Sequence, residues 1–107
     1  MWEITYFNEK VLKEIKSLPM NLLARFVALS ERMRYEGSDL GMPHTRAIGN
    51  GLFEIRLKAK EGIARIFYCT EMNNEIVILH SFIKKTQQIP KKELEITYKR
   101  LREIKYG

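Results

Sequence analysis

Three short stretches place cations and aromatic rings two residues apart: Glu54-Ile55-Arg56-Leu57-Lys58, Arg65-Ile66-Phe67-Tyr68 and His80-Ser81-Phe82-Ile83-Lys84-Lys85. In an extended chain every second side chain shares a face. Arg56 therefore aligns with Lys58, Arg65 with Phe67, and His80 with Phe82 and Lys84. If the three stretches pair, one sheet surface carries Arg, Lys, His and Phe together. Such a surface suits a phosphodiester chain: cations hold phosphate, and rings stack on nucleobases.

The elements that must hold these residues are legible from periodicity and punctuation. Trp2 to Phe7 alternates as a strand. Asn8 suits the cap of a short helix that buries Val11, Leu12 and Ile15. Pro19 starts a second helix with Leu22, Leu23, Phe26, Val27, Ser30 and Met33 inward, and Gly37 ends it. Residues 37–51 read as a polar, Gly-rich connection. Strands follow at about 52–58, 63–71 and 75–83, with Gly62 and Asn73-Asn74 at tight turns. Residues 84–89 read as a loop. Pro90 opens a last helix striped by Leu94, Tyr98, Leu101 and Ile104.

The order is β-α-α-β-β-β-α over one domain, residues 1–107. It predicts an α+β fold with an antiparallel sheet and its helices packed on one face. Phe53, Ile55, Leu57, Ile66, Val77 and Leu79 would lie beneath the helices. Arg56, Lys58, Arg65, Phe67, His80 and Phe82 would face the other way, with Arg65 and Lys84 toward solvent.

Composition bounds the function. The 107 residues, 45% hydrophobic and 30% charged, are those of a globular protein rather than a disordered one. The net charge of +6 favours a polyanionic partner. Lys84, Lys85, Lys91, Lys92, Lys99, Arg100, Arg102 and Lys105 outnumber Glu93, Glu95 and Glu103, so nearly all the excess lies in the last quarter. A lone cysteine, Cys69, excludes an intramolecular disulfide and a cysteine metal cluster, and reads as a buried thiol. His44 and His80 form no metal-binding pattern, and no cofactor is expected. The start, Met-Trp-Glu-Ile-Thr-Tyr, does not read as a signal peptide, and no apolar run could span a bilayer. A cytoplasmic protein is expected.

Leu52-Phe53-Glu54-Ile55-Arg56, Gly62-Ile63-Ala64-Arg65-Ile66-Phe67-Tyr68 and Leu79-His80-Ser81-Phe82-Ile83-Lys84-Lys85-Thr86-Gln87, continued by Pro90-Lys91-Lys92-Glu93, resemble the RelE/ParE superfamily of toxins from bacterial toxin–antitoxin modules. The likeness is to its HigB-like, phage-derived branch and spans most of the chain. It implies a RelE-like fold and a ribosome-dependent, metal-independent mRNA endoribonuclease. It also implies a cognate antitoxin of helix-turn-helix type as partner, besides ribosome and mRNA.

For such a reaction the RNA's own ribose hydroxyl attacks the adjacent phosphate. Arg65, with Arg56 beside it, suits the developing negative charge. His80 suits proton transfer, because an imidazole titrates near neutral pH. Lys84 serves as a base if crowding cations lower its pKa. Lys58, Phe82, Lys85, Lys91 and Lys92 are candidate RNA contacts, and Tyr68 stacks only if a bulge turns it outward. Duller accounts compete: Glu54 and Arg56 forming cross-strand salt bridges, or His80 as a satisfied core histidine. So do other functions, a ParE-like toxin that poisons gyrase without cleaving RNA, or a non-toxic RNA- or DNA-binding module.

Overall fold

The computed structural model describes residues 1–84 and 88–107. The elements run β1 (Glu3–Tyr6), α1 (Glu9–Lys16), α2 (Met20–Glu36), β2 (Thr45–Gly49), β3 (Leu52–Ala59), β4 (Gly62–Glu71), β5 (Glu75–Lys84) and α3 (Lys91–Tyr106). The expected elements all form in the expected order. The Asn8 side chain accepts from the Val11 amide at 2.9 Å and caps α1. Asn73 and Asn74 take positive φ values of 64° and 57° at the β4–β5 turn, where a tight hairpin demands them.

Five strands form one sheet in the order β1-β5-β4-β3-β2. Two features depart from expectation. The 37–51 connection contains β2, a short strand that extends the sheet beyond β3. And β1 pairs with Glu75–Ile78 of β5 in parallel, so the sheet is mixed rather than antiparallel. The β1–α1–α2 excursion carries the chain from one edge strand of the sheet, β1, to the other, β2.

The helices divide between the two faces, which corrects the one-face expectation. Val11, Ile15, Leu22, Phe26, Leu29 and Met33 of α1 and α2 pack on Ile55, Leu57, Ala64, Ile66, Tyr68, Ile76 and Ile78. Leu29 takes the place foreseen for Val27, which is 58% exposed. The stripe on α3 needs apolar cover of its own. It finds it on the opposite face, where Leu101, Leu94, Tyr98 and Ile104 pack with Leu52, Phe67, Cys69, Val77 and Leu79. Phe67 is thus fully buried rather than displayed. The Cys69 thiol is buried and pushed up to about 11 by loss of solvent, consistent with a structural thiol.

A bulge in β5 sets the side-chain directions. Phe67 pairs with His80 but Tyr68 pairs with Ile78, leaving Leu79 as an extra residue. Val77 and Leu79 face α3, not α1 and α2. Beyond the bulge the alternation shifts by one, and His80, Phe82 and Lys84 join that same face. The Leu79 carbonyl accepts from Arg100 Nη1 of α3 at 2.7 Å. Tyr68 stays in the α1/α2 core, its hydroxyl donating to the Ser38 carbonyl, so it is not a stacking platform.

Among the described residues no helix is long and apolar enough to cross a membrane. If α3 is fixed by its stripe, Leu101→Ala should lower unfolding free energy by about 2–5 kcal/mol. A urea titration reads this as a lower midpoint with an unchanged slope.

Candidate functional site

The α3 face divides into a covered half and an open half. Register places Arg56 opposite Arg65, and Arg65 opposite Phe82. Glu54 lies opposite Phe67, and Phe67 opposite His80. Arg46 of β2 pairs with Glu54. Three side-by-side strands thus carry Arg56, Arg65 and Phe82 as one transverse row.

Glu54 organises the cations. Its side chain is 1% exposed. Arg65 Nη1 donates to both its carboxylate oxygens, at 2.9 and 3.0 Å. Arg46 Nε donates to Oε1 at 2.8 Å. Arg65 is itself 4% exposed, which corrects its expected exposure to solvent. A buried guanidinium requires a counter-charge, and Glu54 is that charge. Glu54 thus makes the cross-strand salt bridges its sequence position allowed, whereas Arg56 makes none among the described residues. Arg65 Nε remains buried without a hydrogen-bond partner among the described residues. A polar cavity of about 210 Å³ opens beside it, lined by His44, Arg46, Glu54, Arg56 and Arg65. A compact anion is the natural complement of these donors.

Lys84 ends β5 and is also buried rather than solvent-facing. Its ammonium is held below the ordinary lysine value of 10.5, first by burial and then by Arg65, Arg56 and Arg46, with Glu54 acting in the opposite sense. Lys58 is exposed on the same face, and Arg56 half-buried. The structure therefore brings Arg56, Arg65, Lys84 and Lys58 together.

His80 lies elsewhere on the face. Its Nε2 is 3.1 Å from Glu93 Oε2 in the first turn of α3, and its Nδ1 is buried without a partner among the described residues. The Phe82 ring stands 6.3 Å from the imidazole, stacked, and 5.8 Å from Phe67. His80 and Phe82 line a second cavity, of about 740 Å³, between β5 and α1. Lys84 lies four positions beyond His80 along the strand, roughly 13 Å of backbone. Lys91 and Lys92 are exposed at the start of α3, and Lys85 lies outside the described residues.

Two residues of the site escape the sequence pattern. Glu93 looks like an ordinary acidic residue in a helix's first turn, where the dipole favours it. Arg46 sits in a segment with no strand signal. Glu54 was visible beside Arg56, but not its pairing with Arg65.

The family model described as "Phage derived protein Gp49-like" matches residues 13–102. No curated protein matches the chain. Among solved structures, a chain in the crystal structure of the archaeal RelE–RelB complex from Pyrococcus horikoshii OT3 superposes with a TM-score of 0.57 at 19% identity. The match covers 78% of this chain and 96% of that one, and the likeness is one of fold.

Glu54→Gln keeps the shape but strips the counter-charge, and should cost about 3–5 kcal/mol in urea unfolding. Pairing Glu54→Leu with Arg65→Met should recover most of that loss, because the stranded charge is gone. For Lys84, the folded pKa lies below the unfolded one. The native state then holds fewer protons between the two values, so stability rises with pH through that window and levels off above 10.5. The urea midpoint of the wild type should therefore climb relative to Lys84→Met as pH rises toward that value.

Proposed function

Since the chain belongs to the phage-derived Gp49-like family and has a RelE-like fold, we propose that it is the toxin of a toxin–antitoxin pair that cleaves mRNA on the ribosome without a metal ion. The observation that carries this reading is Arg65: buried, oriented by Glu54, its Nε unpartnered, with Arg56 alongside and a pKa-lowered Lys84 nearby.

The reaction follows from what each group can do. A scissile phosphate enters the polar cavity and meets Arg65 and Arg56. Lys84, depressed below the usual lysine range, takes the proton of the adjacent ribose 2′-hydroxyl. The 2′-oxygen attacks phosphorus, and the two guanidiniums stabilise the charge of the five-coordinate transition state. The 5′-oxygen leaves with a proton from water, and a 2′,3′-cyclic phosphate remains. Because the donors are fixed before substrate arrives, little reorganisation opposes the step. His80, placed in the neighbouring cavity, contacts the nucleotide beside the cleaved bond rather than the reacting atoms. Lys58 holds a flanking phosphate, and Lys85, Lys91 and Lys92 are positions for outer ones.

The partners follow from the same reading. An antitoxin of helix-turn-helix type would silence the protein in the cytoplasm, and the ribosome would present the transcript. The partner in the Pyrococcus horikoshii complex, RelB, supports an antitoxin of some kind.

Induction in growing bacteria with mapping of mRNA ends tests the proposal. New ends within translated codons, lost on blocking initiation, are expected. Arg56→Ala, a half-buried side chain without an ion pair among the described residues, should fold normally and lose about 10²–10³-fold of cleavage. Intact mRNA with a DNA-damage response, or healthy growth, overturns the reading.

A further inference from the structure

The second cavity has chemistry that cleavage itself does not use. It lies where β1 has ended: β1 pairs only with Glu75–Ile78, so α1 and not a strand flanks β5 beyond the bulge. Two polar atoms on its lining residues are buried without partners among the described residues, Glu14 Oε2 from α1 and His80 Nδ1 from β5. The His80 side chain is 9% exposed. Between these elements stands the half-buried Phe82 ring. Lys10 and Lys13, both exposed, stand at the rim.

Burying a carboxylate oxygen and an imidazole nitrogen unpaired is costly, and a ligand that pairs both would relieve it. Carboxylate oxygens only accept, so the ligand must bring donors to Glu14. Phe82 calls for a flat ring, and the lysines for a phosphate on the same ligand. These requirements describe a nucleotide. They also choose among bases. Adenine, cytosine and uracil each set a single donor beside an acceptor on the pairing edge, so one carboxylate oxygen would face a lone pair. Guanine alone sets two donors side by side, N1–H and N2–H. The second hydrogen of its amino group is left for His80 Nδ1, which accepts because the ring gives its Nε2–H to Glu93.

We propose that the cavity between α1 and β5 is a nucleobase subsite that holds a guanine of the RNA strand next to the scissile phosphate. The placement rests on the nuclease reading, and the binding chemistry does not. Phe82 is the register partner of Arg65, so the base and the phosphate sit on neighbouring strands, about 5 Å apart at the backbone. That is within the reach of one nucleotide. Glu93, bound to His80 Nε2, acts as a positioning residue that fixes the imidazole against the base.

Binding of the four ribonucleoside 5′-monophosphates to the purified protein, followed by calorimetry and amide NMR shifts, tests this. Guanosine monophosphate should bind about tenfold or more tightly than the other three, the worth of one added charge-assisted hydrogen bond. It should shift the amides of Glu14, Ser17 and Phe82. Glu14→Gln should abolish the preference, and Phe82→Leu should weaken all four nucleotides alike. Equal affinities, no binding, shifts confined to Arg56 and Arg65, or an unchanged preference in Glu14→Gln would overturn the subsite. Guanine-selective binding without mRNA cleavage in cells would leave the subsite standing and remove the nuclease. Cleavage with no guanine beside the cut bond would do the reverse.

Discussion

One buried carboxylate makes the site possible. Arg46, Arg56, Arg65 and Lys84 belong to four different strands of one sheet and repel one another. Without an anion among them the strands could hold these groups only by letting them swing out to water. Glu54 supplies that anion from inside the sheet, fully buried, with two arginines hydrogen-bonded to it. A buried ion pair adds little to stability in its own right, because desolvation consumes most of the attraction. What it gives is direction. Arg65 is held by one terminal nitrogen, its Nε is left over, and the cluster still carries excess positive charge. The remaining donors stand fixed beside the polar cavity.

The second constraint is the extra residue at Leu79. Simple alternation along β5 cannot satisfy both ends of the strand. Ile76 and Ile78 must face α1 and α2, while His80, Phe82 and Lys84 must face the other way. Inserting one residue against β4 reconciles them, and it brings the polar end of an otherwise apolar strand onto the face that α3 half covers. The carbonyl that the irregularity sets loose is met by Arg100, which ties α3 to the bulge. The first turn of the same helix delivers Glu93 to His80. Site and scaffold share these contacts, so α3 positions the imidazole as well as closing the core.

How much of this could be read in advance follows from which forces act locally. The alternation of β3 and β4 is imposed residue by residue, and it placed Arg56, Lys58 and Arg65 on their common face. Capping by Asn8 and the turn at Asn73-Asn74 are likewise local. The strand Thr45–Gly49 is short, edge-bound and polar, so hydropathy carries no trace of it. Parallel pairing of β1 with β5 depends on residues some seventy apart, and the shift at Leu79 on a partner strand. Neither leaves a periodic signal. The resemblance of three motifs to a known superfamily supplied the architecture, but not which side of the sheet α3 would cover. Burial of Arg65 and Lys84 was missed for the same reason: their types suggest solvent, and only a tertiary partner such as Glu54 overrides that.

Most of the net charge lies away from the candidate site. The excess of Lys and Arg lies in the last quarter of the sequence, yet Lys91, Lys92, Lys99 and Arg102 are exposed on α3, where water and salt screen them. The groups gathered around Glu54 are few, and of them only Lys84 belongs to that quarter. Taken out of water, each interacts more strongly with its neighbours and with an approaching phosphate, and the same burial lowers the affinity of Lys84 for its proton. An exposed basic helix attracts a polyanion from a distance. Charges set in a half-covered sheet can act on a single bond once it arrives. The division of labour between the two follows from solvent access alone, and it accounts for a basic protein whose candidate centre is built around a glutamate.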